Sequence, residues 1–122
     1  MDIRASGKVV EVEYGADEQV TVERQHEVKA VLVETIRRHP VGLLVHVPRS
    51  LRKLDVSVGA FWMGVMRELS PGLRAMAAVT STPGLRLLAD SFSKTLSLVG
   101  AKVPIRVFDD EAAARAWLDE VV

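Results

Sequence analysis

The chain contains no cysteine. This excludes a disulfide framework, a thiol nucleophile and a thiolate metal site, and it suits a reducing compartment. The chain also has no excess of either charge, because 16 Lys and Arg residues balance 16 Asp and Glu residues. The overall basic charge typical of nucleic-acid-binding proteins is therefore missing, and we expect no nucleic acid partner.

Long apolar runs are missing as well. No run approaches the roughly 20 residues that a membrane-spanning helix needs, and residues 1–8 lack the apolar segment of a signal peptide. The sequence also lacks the glycine-rich motifs that hold nucleotide phosphates, so we expect no cofactor. Together these absences predict a cytoplasmic protein without a membrane span.

What is present is enough for one domain over residues 1–122. The chain is 48% hydrophobic, which suits a single core. Patterns typical of strands and helices alternate in the order β-β-α-β-α-β-α-β-α. The predicted strands cover 8–14, 19–22, 41–47, 73–80 and 104–108, and the predicted helices cover 23–38, 56 or 58 to 69, 83–99 and 110–118. Since strands joined by helices run parallel, we expect an α/β fold with a mixed sheet of four to five strands and about four helices.

Some of these segments also indicate their surroundings. Residues 8–14 alternate apolar and charged side chains, which is typical of a strand with one face in water. Residues 41–47 are nearly all apolar, which is typical of a central strand covered by helices on both sides. The last helix has the clearest start, with Asp109 predicted as its N-cap and with Asp110 and Glu111 in its first turn.

Two segments resemble a known family. Residues 103–118, Val-Pro-Ile-Arg-Val-Phe-Asp-Asp-Glu-Ala-Ala-Ala-Arg-Ala-Trp-Leu, resemble the closing strand, acidic turn and Ala-rich helix of the SpoIIAA-like branch of the STAS domain superfamily. Residues 54–59, Leu-Asp-Val-Ser-Val-Gly, are similar to the Asp-Ser-Ser-Gly turn of anti-sigma factor antagonists. In that turn the second serine is phosphorylated by a partner kinase. The resemblance implies a STAS-like, SpoIIAA-like fold and a regulatory role.

Ser57 is the candidate phosphorylation site that the resemblance implies. A hydroxyl at the start of a helix lies near N–H donors and the positive end of the helix dipole, which would stabilise an added phosphate. The chain departs from the family turn at Val56, which replaces its first serine, and at Val58, which replaces its glycine. The structural alternative is that Asp55 or Ser57 only caps the helix.

The loop before this helix carries Arg49, Arg52 and Lys53, which follow the carboxyl end of a predicted strand. Ligands of open α/β sheets bind at that edge, so an anion-binding role is one interpretation. The alternative is a loop whose charges simply face water.

Phe61 and Trp62 are adjacent on the predicted helix, so their side chains point about 100° apart. One interpretation places Phe61 in the core and leaves Trp62 half-buried. The other makes Phe61, Trp62, Met63 and Met66 an apolar patch that receives a partner helix, a second copy or a lipid-like ligand.

The three histidines, His26, His39 and His46, lack the spacing of a helical metal pair and have no obvious acidic companion in the sequence. We therefore expect neither a metal site nor a catalytic centre. A catalytic role for His46 would require nucleophile and base residues from outside any recognisable motif.

These observations lead to two functional hypotheses. The first is a non-catalytic regulatory or scaffold protein of bacterial signalling, which contacts a kinase, an anti-sigma-like regulator or another signalling protein. Its predicted contact residues are Arg49, Arg52, Lys53, Asp55, Ser57, Phe61, Trp62 and Met66. The second is a binding module for a small apolar or lipid-like ligand. A homodimer is compatible with both, and an enzyme is a third, less favoured class.

Overall fold

The structure is a computed structural model that describes residues 1–15, 18–47, 56–80, 84–98, 100 and 103–122. Five strands and four helices follow one another in these ranges. The strands are β1 (Asp2–Ser6), β2 (Val9–Glu13), β3 (Val41–His46), β4 (Leu73–Val79) and β5 (Ile105–Phe108), and the helices are α1 (Val22–Ile36), α2 (Val56–Leu69), α3 (Gly84–Leu98) and α4 (Glu111–Val121). None of these helices has the length and hydropathy of a membrane-spanning segment.

The strands form one mixed sheet in the order β1-β2-β3-β4-β5. β1 runs antiparallel to β2, whereas β2, β3, β4 and β5 run parallel to one another. The α/β class, the mixed sheet and the order of strands and helices are those predicted, and these predictions are confirmed.

The first two strands of the sheet form a hairpin that includes β1, a strand that was not predicted. β2 pairs with β1, with Ser6 opposite Val9, and Gly7 takes a positive φ of 58° in the turn, a conformation that glycine adopts without strain. The prediction of a strand over 19–22 is wrong. Thr21 accepts a hydrogen bond from the backbone N–H of Arg24 and is the N-cap of α1.

Helix α4 also starts one residue later than predicted. Its N-cap is Asp110, not Asp109: the backbone of Asp110 is extended, and its side chain accepts a hydrogen bond of 3.0 Å from the backbone N–H of Ala112. That bond satisfies one of the unpaired N–H groups of the first turn. Glu111 is therefore the first helical residue.

The sheet separates two apolar layers. The larger layer lies between the sheet and helices α1 and α2, and its buried residues include Val10, Val12, Val28, Leu32, Leu43, Val45, Trp62 and Met66. The smaller layer lies under α4 and contains Leu44, Ala75, Ala77, Ala114 and Leu118. Strand β3 contributes to both layers and is buried from Val41 to Val45, which confirms the predicted central strand with both faces covered.

Helix α4 lies close to the sheet because the strands beneath it carry small residues. A Cβ added to Gly42 would lie 2.9 Å from Leu118 Cδ2 and 2.8 Å from Val122 Cγ2, distances that real side chains do not adopt. The neighbouring strand contributes Ala75 and Ala77, both fully buried. This close packing holds α4 over strands β3 and β4, with Glu111 in its first turn beside His46 at the end of β3.

Candidate functional site

The surface predicted to be functional includes the start of α2. Helix α2 ends at Leu69 and β4 begins at Leu73, so the short connection places the end of α2 at the amino edge of the sheet. A helix of 14 residues is about 21 Å long, and its start therefore lies towards the opposite, carboxyl edge. The predicted contact residues Arg49, Arg52, Lys53 and Asp55 lie outside the described residues.

The outer face of α2 is exposed and carries no charge near its start. Val56 is 87% exposed, and Ser57, Ala60 and Gly64 are also exposed. Residues 56–66 include no Asp, Glu, Lys or Arg. Within the described part of the chain, Ser57 therefore lies on a solvent-facing segment of α2 that has no charged side chain of its own over residues 56–66.

The inner face of α2 corrects the predicted arrangement of the two aromatic residues. Trp62 is 7% exposed and Met66 is fully buried, whereas Phe61 is half-buried. The interpretation with Phe61 in the core and Trp62 half-buried is therefore wrong. Phe61 packs edge-on against the ring of His26 in α1, with 4.6 Å between the ring centroids.

Trp62 is buried because its N–H group has a partner in the core. Its Nε1 donates a hydrogen bond of 2.9 Å to Gln25 Oε1, and Gln25 Nε2 donates one of 2.6 Å to the hydroxyl of Tyr14. These two hydrogen bonds join the residue after β2 to helices α1 and α2, and they satisfy polar atoms that would otherwise oppose burial. Burial raises the pKa of the Tyr14 hydroxyl above its ordinary value of 10.0.

A second polar cluster lies on the other face of the sheet, beneath the start of α4. Its centre is Glu11, which is paired in register with Leu44 of the α4 layer. Glu11 is 8% exposed, so the prediction that the polar face of its strand lies in water is wrong at this position. The side chain of Arg115, which extends from α4, reaches the Glu11 carboxylate.

Three basic side chains surround the Glu11 carboxylate. Arg115 Nη2 donates to both oxygens, at 2.8 Å and 2.5 Å. His46 Nε2 lies 3.0 Å from Glu11 Oε2, and Arg4 Nη2 lies 3.2 Å from Glu11 Oε1. The hydrogen bonds from Arg115, then those from His46 and Arg4, outweigh the cost of burial and lower the pKa of Glu11 from 4.5 to about 2.

Further carboxylates extend this cluster. Glu111 Oε1 lies 3.1 Å from His46 Nε2 and 3.3 Å from Arg115 Nη2. On the other side, Arg4 pairs with Asp2 at 2.7 Å and with Glu13 at 3.0 Å. We call these seven residues the Glu11 network: Asp2, Arg4, Glu11, Glu13, His46, Glu111 and Arg115.

The Glu11 network was not predicted from the sequence. The prediction that His46 has no acidic companion is wrong, because two carboxylates lie within 3.1 Å of its Nε2 atom. One signal was present in the sequence: Glu111 and Arg115 are four residues apart, so they share one face of α4 near the carboxyl edge of the sheet.

Comparisons with known proteins agree with this fold. The model of the SpoIIAA-like family matches residues 1–119. The chain is also similar in structure to an uncharacterized protein of the DUF3478 family from Shewanella loihica PV-4, which has a SpoIIAA-like fold. The two chains are 12% identical with a TM-score of 0.64, and the match covers 96% of this chain and 90% of the other, which shows a shared fold. Comparison with curated proteins gave no match. Since the family model spans nearly all its residues, the chain belongs to the SpoIIAA-like family.

Proposed function

We propose that this protein is a non-catalytic regulatory or scaffold domain that binds another protein through the outer face of α2. One observation carries the proposal: residues 56–66 contain no charged side chain, yet residues on this segment face solvent and Val56 is 87% exposed. The solvent face of a helix normally carries charged or strongly polar residues. An exposed face without them is typical of a protein contact surface.

Gly64 supports the same proposal. It is an exposed residue inside α2, and a Cβ added there would meet no described atom within 4 Å. Glycine inside a helix costs about 1 kcal/mol relative to alanine, and packing within the described chain does not require it. A partner that approaches the helix backbone closely would require it.

Ser57 supplies the proposed regulation of this contact, following the family resemblance. It is exposed at the second residue of α2, where the helix dipole favours a negative group. Phosphorylation would add a charge of about −2 to a helix segment, residues 56–66, that has no charged side chain. The partner would be a kinase or an anti-sigma-like regulator of bacterial signalling, and phosphorylation would weaken its contact with α2.

The alternative of a small apolar ligand has less support. The apolar patch predicted to receive such a ligand consists of Phe61, Trp62, Met63 and Met66. Trp62 instead packs in the core and donates to Gln25, and Met66 is fully buried. Trp62 and Met66 therefore pack α2 against α1 and the sheet, and they do not line a surface that is open to a ligand.

The test compares Ala60→Glu with a matched control, Ala116→Glu. Both alanines are exposed helical residues, Ala60 on α2 and Ala116 on α4 across the sheet. Each tagged protein is purified from its own host, and the bound proteins are quantified by mass spectrometry. We expect Ala60→Glu to lose a partner that the wild type and Ala116→Glu retain. A partner set that is the same in all three proteins, or a wild type that retains none, would refute the α2 surface.

The regulatory step has a separate test. Intact-mass analysis of the protein from its host, before and after phosphatase treatment, is expected to show one phosphate that is absent in Ser57→Ala. If the mass of the wild type is the same before and after phosphatase treatment, the phosphorylation step is refuted. The proposed contact surface on α2 is tested separately by Ala60→Glu.

A further inference from the structure

We propose that Glu11, His46 and Glu111 form a binding site for a divalent transition-metal ion of the zinc class, in which the guanidinium of Arg115 occupies the cation position until an ion displaces it. The proposal concerns the face of the sheet covered by α4. It is independent of the contact surface proposed on α2.

The ligand atoms already have the right types and separations. One atom from each residue, an imidazole nitrogen or a carboxylate oxygen, lies within 4.8 Å of the other two. His46 Nε2 is 3.0 Å from Glu11 Oε2 and 3.1 Å from Glu111 Oε1. Ligands at about 2.0–2.2 Å from a tetrahedral zinc ion are about 3.3–3.6 Å apart. The two His46–carboxylate separations are therefore a few tenths of an ångström shorter than those around a zinc ion, and the Glu11 and Glu111 oxygens lie within 4.8 Å of each other.

The charge of the network favours an added cation. Its four carboxylates belong to Asp2, Glu11, Glu13 and Glu111, and its two guanidinium groups belong to Arg4 and Arg115. The six charged residues other than His46 therefore carry a net charge of −2 (two positive charges minus four negative charges). A divalent ion would neutralise this charge.

Arg115 marks the cation position and can leave it. Its Nη2 contacts Glu11 at 2.5 Å and Glu111 at 3.3 Å, so it lies between two of the three proposed ligands. The side chains of Arg115 and Glu111 are 45% and 49% exposed, which gives an ion a route from solvent. Arg4 would continue to hold Glu11 Oε1, as the outer hydrogen bond that orients a metal-binding carboxylate.

The test measures Zn²⁺ binding by isothermal titration calorimetry on the untagged full chain. The wild type is expected to bind one Zn²⁺. His46→Gln should bind it at least about 10-fold more weakly, because the loss of a ligand costs no less than the loss of an outer hydrogen-bond partner. His39→Gln is the matched control, since His39 is an exposed histidine that contacts the carbonyl of Pro40. It should bind Zn²⁺ as the wild type does.

Arg115→Gln distinguishes a metal site from a purely structural ion-pair network. In the Arg115→Gln protein, Zn²⁺ does not have to displace a guanidinium group from the site. Its affinity for Zn²⁺ should therefore be about tenfold higher than that of the wild type. The visible spectrum of bound Co²⁺ should change in His46→Gln and not in His39→Gln. Glu111→Gln provides a second ligand variant on the exposed side of the site, in case His46→Gln does not fold.

Four results would overturn the proposal. The first is a wild type that does not bind Zn²⁺ with one-to-one stoichiometry. The second and third are a Zn²⁺ affinity of His46→Gln, or of Glu111→Gln, equal to that of the wild type. The fourth is a Zn²⁺ affinity of Arg115→Gln lower than that of the wild type. Equal binding in a ligand variant would identify adventitious surface binding.

Discussion

Replacement of Glu11 by glutamine should destabilise the protein at neutral pH and have little effect near pH 2. The magnitude follows from the lowered pKa of Glu11, which falls from 4.5 to about 2 because Arg115, His46 and Arg4 bind its charged form. At about 1.4 kcal/mol for each pKa unit, this corresponds to at most about 3 kcal/mol. Arg115 and Arg4 are 45% and 47% exposed, so solvent screening reduces the expected loss to about 2 kcal/mol.

The pH dependence of this effect has a definite sign. The folded protein binds the Glu11 proton more weakly than the unfolded chain does, because the pKa is lower in the folded state. The stabilisation is therefore fully present above pH 4.5 and is lost as the pH falls towards about 2. Glutamine has no proton to gain in this range, so the Glu11→Gln protein lacks this component of acid destabilisation.

The assay is urea unfolding followed by tryptophan fluorescence at several pH values between about 7 and 2. Glu13→Gln is the control, because Glu13 is an exposed carboxylate of the same strand and also pairs with Arg4. Its effect should be within about 0.5 kcal/mol. A Glu11→Gln protein as stable as the wild type at neutral pH, or a difference that persists unchanged near pH 2, would refute the reasoning.

Three further predictions concern the fold. Gly42→Ala should lower the free energy of unfolding by about 1–3 kcal/mol, measured in urea, because its methyl group would collide with Leu118; an unchanged value would contradict the close packing of α4. Tyr14, the single tyrosine, should titrate above its ordinary pKa in an absorbance titration because it is buried, and should return to the ordinary pKa when unfolded. Asp110→Ala should cost about 1 kcal/mol as a lost N-cap, whereas Asp109→Ala should cost clearly less; equal losses would contradict the observed cap.

The order of strands and helices could be predicted because its signals are local. The continuous apolar run of β3 and the apolar spacing in α2 each lie within one segment, and each indicates one element. Errors occurred where a local signal was ambiguous. Two aspartates precede α4, and only the backbone conformation shows that Asp110 is the cap.

Strand β1 could not be predicted in the same way. Four of its five residues are exposed, so it has almost no buried face to produce an alternating pattern. It is a strand because its backbone pairs with β2 through the turn at Gly7. Residues 19–22 match a strand pattern more closely than β1 does. They instead lead into α1, because Thr21 accepts a hydrogen bond from the backbone N–H of Arg24 and caps that helix.

The aromatic pair on α2 shows a related limit. Helical spacing established that Phe61 and Trp62 point in different directions, but it did not indicate which of the two faces the core. The choice depends on Gln25, which is buried in α1 and accepts the indole hydrogen bond. Gln25 lies 37 residues from Trp62 in the sequence, so the apolar periodicity of α2 does not indicate this hydrogen bond.

The Glu11 network required knowledge of tertiary structure, because a strand pattern shows which residues share a face and not what covers that face. Glu11 alternates with valines and therefore had the pattern of a residue in water. It is buried because α4 packs over the small residues of β3 and β4 and brings Arg115 onto it, 104 residues along the chain. With Ala114 and Leu118 of α4 turned towards the sheet, the neighbouring Arg115 reaches Glu11, the central residue of β2. The ion pair is thus a consequence of how closely α4 packs.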